Sequence, residues 1–246
     1  MFLILVLIGT LAGFIDSIVG GGGLITVPTL SLILGPGVEA IATNKMGAAA
    51  STLIAVLIYF RKGHVRFTGN LGFVLAVGLS SAVGAYFARF IPPVIYKWFI
   101  VAIVPVVLFV ILNKELWVTR VSPPGGHRVN RGALWACALL CGFYDGIAGP
   151  GGGTVMFLSL LMVARMPLLP AIGTAKLANL ASASIALTTF ALSGQVQWAQ
   201  GTSLALGLGL GAAVGASVVS QNASVWARAA LICVSLLLIL RLFISG

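Results

Sequence analysis

The chain carries the same unusual motif twice. Residues 13–23 read GFIDSIVGGGG and residues 142–153 read GFYDGIAGPGGG, and seven of twelve positions are identical when 13–24 is aligned with 142–153. After a gap of two residues the similarity continues: ATNKMGAAAST at 42–52 aligns with GTAKLANLASA at 173–183, and GLSSAVGA at 78–85 aligns with GLGAAVGA at 209–216. The chain is therefore predicted to consist of two copies of one structural unit.

Most of the sequence around these motifs is apolar. Hydrophobic residues make up 60% of the chain and charged residues 7%, with a mean hydropathy of +1.15, whereas a soluble domain has about 25% charged residues. Eight apolar stretches are near the length that crosses a hydrocarbon core of about 30 Å, at 1–19, 40–60, 69–88, 94–113, 132–149, 168–193, 199–220 and 225–244. Two shorter apolar stretches, 24–34 and 154–164, directly follow the glycine clusters. The sequence predicts an all-α polytopic membrane protein, in which each repeat has about four long transmembrane helices and a glycine-rich re-entrant or broken helical hairpin.

The only long polar stretch, residues 114–131, separates a first membrane repeat (1–113) from a second (132–246). Its Pro-Pro-Gly-Gly core is typical of an extended linker. Basic residues favour cytoplasmic loops, so the linker and the loop at 61–67 are predicted to be cytoplasmic. The second copy of that loop, 194–198, has no basic residue and is predicted to face outward. The two repeats are therefore expected to be inverted in the cell membrane.

The net charge of +10 is explained by this loop bias and by contact with anionic lipid headgroups, and nothing else in the sequence indicates nucleic-acid binding. Catalysis and metal binding also lack support: the three cysteines form no CxxC pair, and the two histidines form no HExxH motif. We expect no enzyme activity, no catalytic residues, no cofactor and no metal site. The apolar N-terminus lacks a basic flank and continues into the repeated motif, so it is expected to belong to the fold.

Charged residues inside the predicted helices are rare and repeat in pairs. Lys45 and Lys176 occupy matching positions, although a lysine at the bilayer centre costs up to about 2.5 to 3.5 kcal/mol on insertion scales. Asp16 and Asp145 match as well, each four residues before a glycine cluster. The lysines are interpreted as substrate-binding residues, the alternative being snorkelling or structural pairing with the aspartates. The aspartates could carry a coupling proton, bind another coupling ion, or form ion pairs with the lysines.

The glycine clusters are interpreted as points where the chain reverses inside the membrane. Glycine allows a close approach of backbone to ligand, and the free N–H groups at a restarting helix attract anions. The predicted substrate-binding set therefore adds glycines and nearby polar side chains to the two lysines, namely Gly20, Gly21, Gly22, Gly23, Gly151, Gly152, Gly153, Thr43, Asn44, Thr174 and Asn179. The alternative for the polar side chains is hydrogen bonding to their own helix backbone.

These residues resemble the sulfite exporter TauE/SafE family of membrane transporters. The resemblance spans nearly the whole chain and rests on GFIDSIVGGGG with Pro28 downstream, on TNK at 43–45, and on the second copies GFYDGIAGPGGG and GTAK. It implies a carrier with two repeated halves that exports sulfite or a related organosulfonate, with Lys45, Lys176 and the two hairpins forming the anion site. Asn44 is replaced by Ala175 in the second copy, and Pro150 interrupts its glycine run. The site is therefore expected to be asymmetric.

The sequence predicts a secondary transporter, and an exporter by that resemblance, which works by alternating access around an anion site at the membrane midplane. Its partners would be a small anionic substrate, membrane lipid, and a proton or other coupling ion. A passive anion channel and a carrier of small carboxylates remain as alternatives. A homo-oligomer is also left open.

Overall fold

The computed structural model of the protein describes residues 1–18, 21–62, 71–112, 131–166 and 168–217. Within these residues it contains nine α-helices and no β-strand. In chain order the helices are α1 (Phe2–Ile18), α2 (Gly23–Leu34), α3 (Val38–Arg61), α4 (Leu71–Ala88), α5 (Pro93–Leu112), α6 (Arg131–Ile147), α7 (Gly152–Met162), α8 (Leu168–Leu192) and α9 (Trp198–Ser217). The predicted all-α class is confirmed.

Every apolar stretch predicted within the described residues forms a helix. By length and composition, three of these helices are clear candidates to cross a membrane: Val38–Arg61, Leu71–Ala88 and Ala171–Leu192. The predicted helix at 225–244 lies outside the described residues, as do Gly20, nearly all of the linker and most of the 61–67 loop.

The outer surface of the helix bundle is apolar. Large hydrophobic side chains are more than half exposed on several helices, including Leu3, Leu7, Leu79, Leu140 and Leu206. A soluble monomer rarely exposes apolar surface on this scale. The exposed side chains therefore indicate a surface that faces lipid.

Both glycine clusters interrupt a helix. α1 ends at Ile18 and α2 begins at Gly23, while α6 ends at Ile147 and α7 begins at Gly152. Gly21 has φ 93°, which the aligned Pro150 cannot adopt because its ring fixes φ near −65°. In the second break the positive φ values fall on Gly149 and Gly151 instead, at 91° and 74°. The two turns therefore differ in backbone conformation, as Pro150 led us to expect.

The two repeats are not separate bodies. α1 packs against α9, and the equivalent helix of the second repeat, α6, packs against the equivalent of α9, which is α4. The central helices α3 and α8 contact each other. Each of the two larger hydrophobic clusters also contains residues of both repeats: Ile15 lies with Leu208 in one, and Val77 lies with Met156 in the other. The core therefore forms only when the repeats interdigitate.

Glycine allows these helix pairs to come into backbone contact. A Cβ atom added to Gly207 of α9 would lie 2.2 Å from the carbonyl oxygen of Val6, and one added to Gly142 of α6 would lie 2.2 Å from that of Val77. Small residues at helix interfaces are the usual means by which membrane helices pack closely. The glycines at the helix contacts therefore serve packing.

We expect Gly207→Ala to lower the thermal midpoint of the detergent-purified protein, because the added methyl group meets backbone of α1 that cannot move cheaply. Overpacking of this kind costs about 1 to 3 kcal/mol. Gly209→Ala, two residues along the same helix, is the matched control, because its methyl group would meet only the Cδ1 atom at the tip of Ile54. Equal midpoints for the two variants would contradict this account of the α1–α9 contact.

Candidate functional site

Two ion pairs link the repeats crosswise. Lys45 of α3 pairs with Asp145 of α6, with 2.8 Å between Nζ and Oδ2, and Lys176 of α8 pairs with Asp16 of α1 at 3.3 Å. Each lysine thus pairs with the aspartate of the other repeat. The ion pairing of lysines with aspartates, which the sequence left open as an alternative, is thus present in this structure. Both pairs lie where a helix ends at a glycine cluster.

The two pairs differ in burial. The side chains of Lys45 and Asp145 are 2% and 3% exposed, whereas those of Lys176 and Asp16 are 14% and 17% exposed. The Ser182 hydroxyl also donates to Asp145 Oδ2, and the Gly22 N–H donates to Asp16 Oδ1 at 2.9 Å. The Lys45–Asp145 pair is thus the more deeply buried of the two, in surroundings where charges interact strongly.

Each ammonium also contacts the backbone of its partner. Lys45 Nζ donates to the main-chain carbonyl oxygen of Asp145, and Lys176 Nζ donates to that of Asp16 at 3.1 Å. These carbonyls lie in the last turn of α6 and α1, where the helix dipole places partial negative charge. Each lysine is therefore held by a helix end as well as by a carboxylate.

A cavity of about 40 Å³ lies where the two helix breaks face each other. A buried water needs only about 10 to 15 Å³ on the same measure, so the cavity has room for a small ligand. It is lined by Asp16, Gly21, Gly22, Gly23, Thr26, Asn44, Lys45, Ala48, Ser51, Thr52, Asp145, Gly149, Gly151, Gly152, Gly153, Asn179 and Leu208.

Several polar groups at this cavity lack a full set of partners. Ser51 is 1% exposed, and its hydroxyl oxygen has no hydrogen-bond partner among the described residues. The Gly153 amide, in the first turn of α7, also has no acceptor among them. Asn44 uses its side-chain oxygen to accept a bond from the Thr26 hydroxyl. The lining therefore offers hydroxyl and N–H donors to a ligand in addition to the Lys45 ammonium.

The structure brings most of the predicted site residues together. Lys45, Asn44, Asn179, Asp16, Asp145 and six of the seven predicted glycines line the cavity, whereas Gly20 lies outside the described residues. Three predicted residues are not in the lining. Lys176 is drawn toward Asp16, the Thr43 hydroxyl accepts a hydrogen bond from the Gln197 N–H at 3.0 Å, and Thr174 is buried elsewhere in α8.

The lining also includes three polar residues that the sequence did not predict, Ser51, Thr52 and Thr26. A signal for Ser51 was present, because it lies seven residues after Asn44 and therefore on the same helix face. Its counterpart in the second repeat is Ser182, which bonds to Asp145. Both serines are therefore visible in the sequence as a polar pair at equivalent positions of the two repeats.

Known proteins resemble this chain over most of its length. The model of the sulfite exporter TauE/SafE family matches residues 5–242. The chain belongs to this family.

Its relatives include a "Probable membrane transporter protein ORF9" of Sinorhizobium sp, 32% identical over 234 residues that cover 94% of this chain and 88% of that protein. A "Probable membrane transporter protein" of Haemophilus influenzae is 32% identical over 240 residues, covering 96% and 91% of the two chains. "Probable membrane transporter protein YfcA" of Escherichia coli (strain K12) is 30% identical over 234 residues, covering 94% and 86%. No solved structure matches the chain. The protein is thus a membrane transporter of the TauE/SafE family.

Proposed function

We propose that this transporter moves a small sulfur-containing oxyanion, such as sulfite or an organosulfonate, across the cell membrane by alternating access. The observation that carries the proposal is the cavity between the two helix breaks, where Lys45 and the start of α7 meet. Binding sites at interrupted helices between two repeats are a recurring feature of secondary transporters. Sulfite enters the proposal through the family, whose described activity is sulfite export.

The lining favours a sulfur oxyanion over a carboxylate. Its donors lie on two helices: the ammonium of Lys45 and, six residues further along, the hydroxyl of Ser51 on α3, and the Gly153 amide on α7. No arginine is among the lining residues, so the planar fork that binds a carboxylate with two parallel bonds is missing there. Donors spread around a cavity suit the oxygens of a sulfite or sulfonate group, which point in three directions.

The packing register supports inverted repeats. Contacts between α1 and α9 advance together, from Val6 with Gly207 to Phe14 with Gly215, so these two helices are parallel. α4 is parallel to α6 by the same reasoning, from Val77 with Gly142 to Ser81 with Gly146. α4 is also parallel to α8. The first turns of α4 cluster with the start of α8, and Ala85 and Ala88 near the end of α4 cluster with Ala186 and Phe190 near the end of α8.

The short connection between α8 and α9 gives the relative direction of these two helices. Only residues 193–197 separate these two long helices, which is too short to span a membrane, so the helices must run in opposite directions. α1 then follows the direction of α9, and α6 follows that of α8. Equivalent helices of the two repeats would therefore point in opposite directions, with the linker at 114–131 on the cytoplasmic side as its basic residues favour.

Transport tests the function directly. We expect purified protein in proteoliposomes to take up radiolabelled methanesulfonate with saturable kinetics, and uptake to accelerate when the vesicles are preloaded with unlabelled methanesulfonate. Such exchange is typical of alternating access and is not expected of a passive channel. Acetate should compete poorly. No uptake of either methanesulfonate or sulfite would contradict the proposal.

Two lysine variants locate the site within this assay. Lys45→Met should reduce the apparent affinity by about tenfold to a hundredfold, because a hydrogen bond to a charged group contributes about 1.5 to 3 kcal/mol. Lys176→Met removes the same charge outside the cavity lining and should keep saturable uptake. Size-exclusion profiles would verify that both variants fold. Equal losses in two folded variants would favour a site that uses both lysines.

Cysteine labelling tests the inversion. Arg61 and Ser193 are exposed at equivalent ends of α3 and α8. In a background without the three native cysteines, Arg61→Cys and Ser193→Cys should react with a membrane-impermeant maleimide from opposite sides of intact cells. Reaction of both from the same side would contradict inverted repeats.

A further inference from the structure

The cavity has no net positive charge to offer an anion. The whole chain has four acidic residues, and two of them, Asp16 and Asp145, line this cavity. Lys45 is the only basic residue among the lining residues and is already paired with Asp145, while Lys176 is paired with Asp16. An entering anion would therefore face two carboxylates, and repulsion between like charges is strong in a buried site.

Protonation of Asp145 would remove this obstacle without dismantling the site. A neutral carboxyl group releases the charge of the Lys45 ammonium for a new partner. The ammonium would stay in position, because it also donates to the main-chain carbonyl oxygen of Asp145, which does not titrate. Ser51 lines the same cavity and is 1% exposed, and its hydroxyl, which has no partner among the described residues, can donate to a ligand.

We propose that the anion enters this cavity together with one proton, and that the proton is bound by the carboxylate of Asp145. In this step a proton from water on the side of entry forms an O–H bond at Asp145, and the anion takes over the Lys45 ammonium that the carboxylate has released. Both leave together on the other side, and the ion pair forms again. This inference rests on the proposed function and adds its coupling ion.

Asp145 is better placed for this role than Asp16. The partner of Asp16 is Lys176, which does not line the cavity, so protonating Asp16 would release a charge that the anion cannot reach. Apart from Lys45, Asp16 and Lys176, the titratable groups near Asp145 carry no charge at neutral pH: Cys141 and Tyr144 of its own helix are a thiol and a phenol. Of the helices that pack against α6, α4 contributes only Tyr86, which is exposed, α7 contributes none and α8 contributes Lys176.

A sodium ion is a weaker candidate for coupling. A bound cation would need the carboxylate and carbonyl oxygens at the end of α6, and the Lys45 ammonium already contacts both. Transport should therefore be the same when sodium is replaced by choline. A requirement for sodium would overturn the inference.

The decisive measurement is the number of protons taken up when methanesulfonate binds. This sulfonate stays ionised throughout the working pH range, whereas sulfite itself takes up a proton near neutral pH. In weakly buffered detergent solution with a pH-sensitive dye, the parent protein should take up about one proton for each methanesulfonate bound. Its apparent affinity should fall by up to about tenfold per pH unit as the pH rises.

Two carboxyl variants assign the proton. Asp145→Asn should bind methanesulfonate without proton uptake and with little pH dependence, because the amide is neutral and cannot ionise. Glu39→Gln removes an exposed carboxylate from the first turn of α3 and should behave like the parent. Binding by the parent without proton uptake, or uptake that persists in Asp145→Asn, would overturn the inference while leaving the anion site intact.

Two further outcomes, an unfolded Asp145→Asn variant and a parent protein that does not bind the anions, also decide between the proposals. If Asp145→Asn does not fold, Asp16→Asn replaces it: continued proton uptake in that variant supports Asp145, and its loss overturns the assignment. A parent protein that binds neither methanesulfonate nor sulfite would overturn the proposed function and this inference with it.

Discussion

The buried ion pair between Lys45 and Asp145 is the interaction on which the centre of this protein depends. It joins α3 of the first repeat to the broken end of α6 in the second, with both side chains nearly inaccessible to solvent. Removing one member of a buried pair leaves an uncompensated charge and typically costs about 3 to 5 kcal/mol. The pair therefore fixes the position of the helix break beside the cavity. A ligand or proton that separates the two charges would weaken this contact between the two repeats.

Close backbone packing gives this charged centre its rigid surroundings. The contacts of Gly207 with Val6 and of Gly142 with Val77 hold one helix of each repeat firmly against a helix of the other. The helices that follow the breaks, α2 and α7, are short and start at glycines. Under the proposed alternating access, the closely packed helices would move as units while access to the cavity between the breaks changes.

The sequence was sufficient for the all-α class and for the helices of the described residues, because hydropathy and the internal repeat report directly on them, and most of the predicted site residues line one cavity. The breaks were predictable from the density of glycine, and the asymmetry of the two turns from Pro150. The roles of Lys176, Thr43 and Thr174 could not be separated from those of Lys45 and Asn44 by sequence, since equivalent positions look alike until the packing is known. Only the structure distinguishes the lysine that lines the cavity from the one that pairs outside it.

The central claim is that the cavity beside Lys45 is the anion site. Selenite is a pyramidal analogue of sulfite whose selenium can be located by anomalous diffraction. In crystals grown with selenite, the account predicts an anomalous peak inside the cavity, close to Lys45 Nζ, Ser51 Oγ and the Gly153 amide. Selenium peaks found only elsewhere, with the Lys45–Asp145 pair intact and the cavity empty, would contradict it.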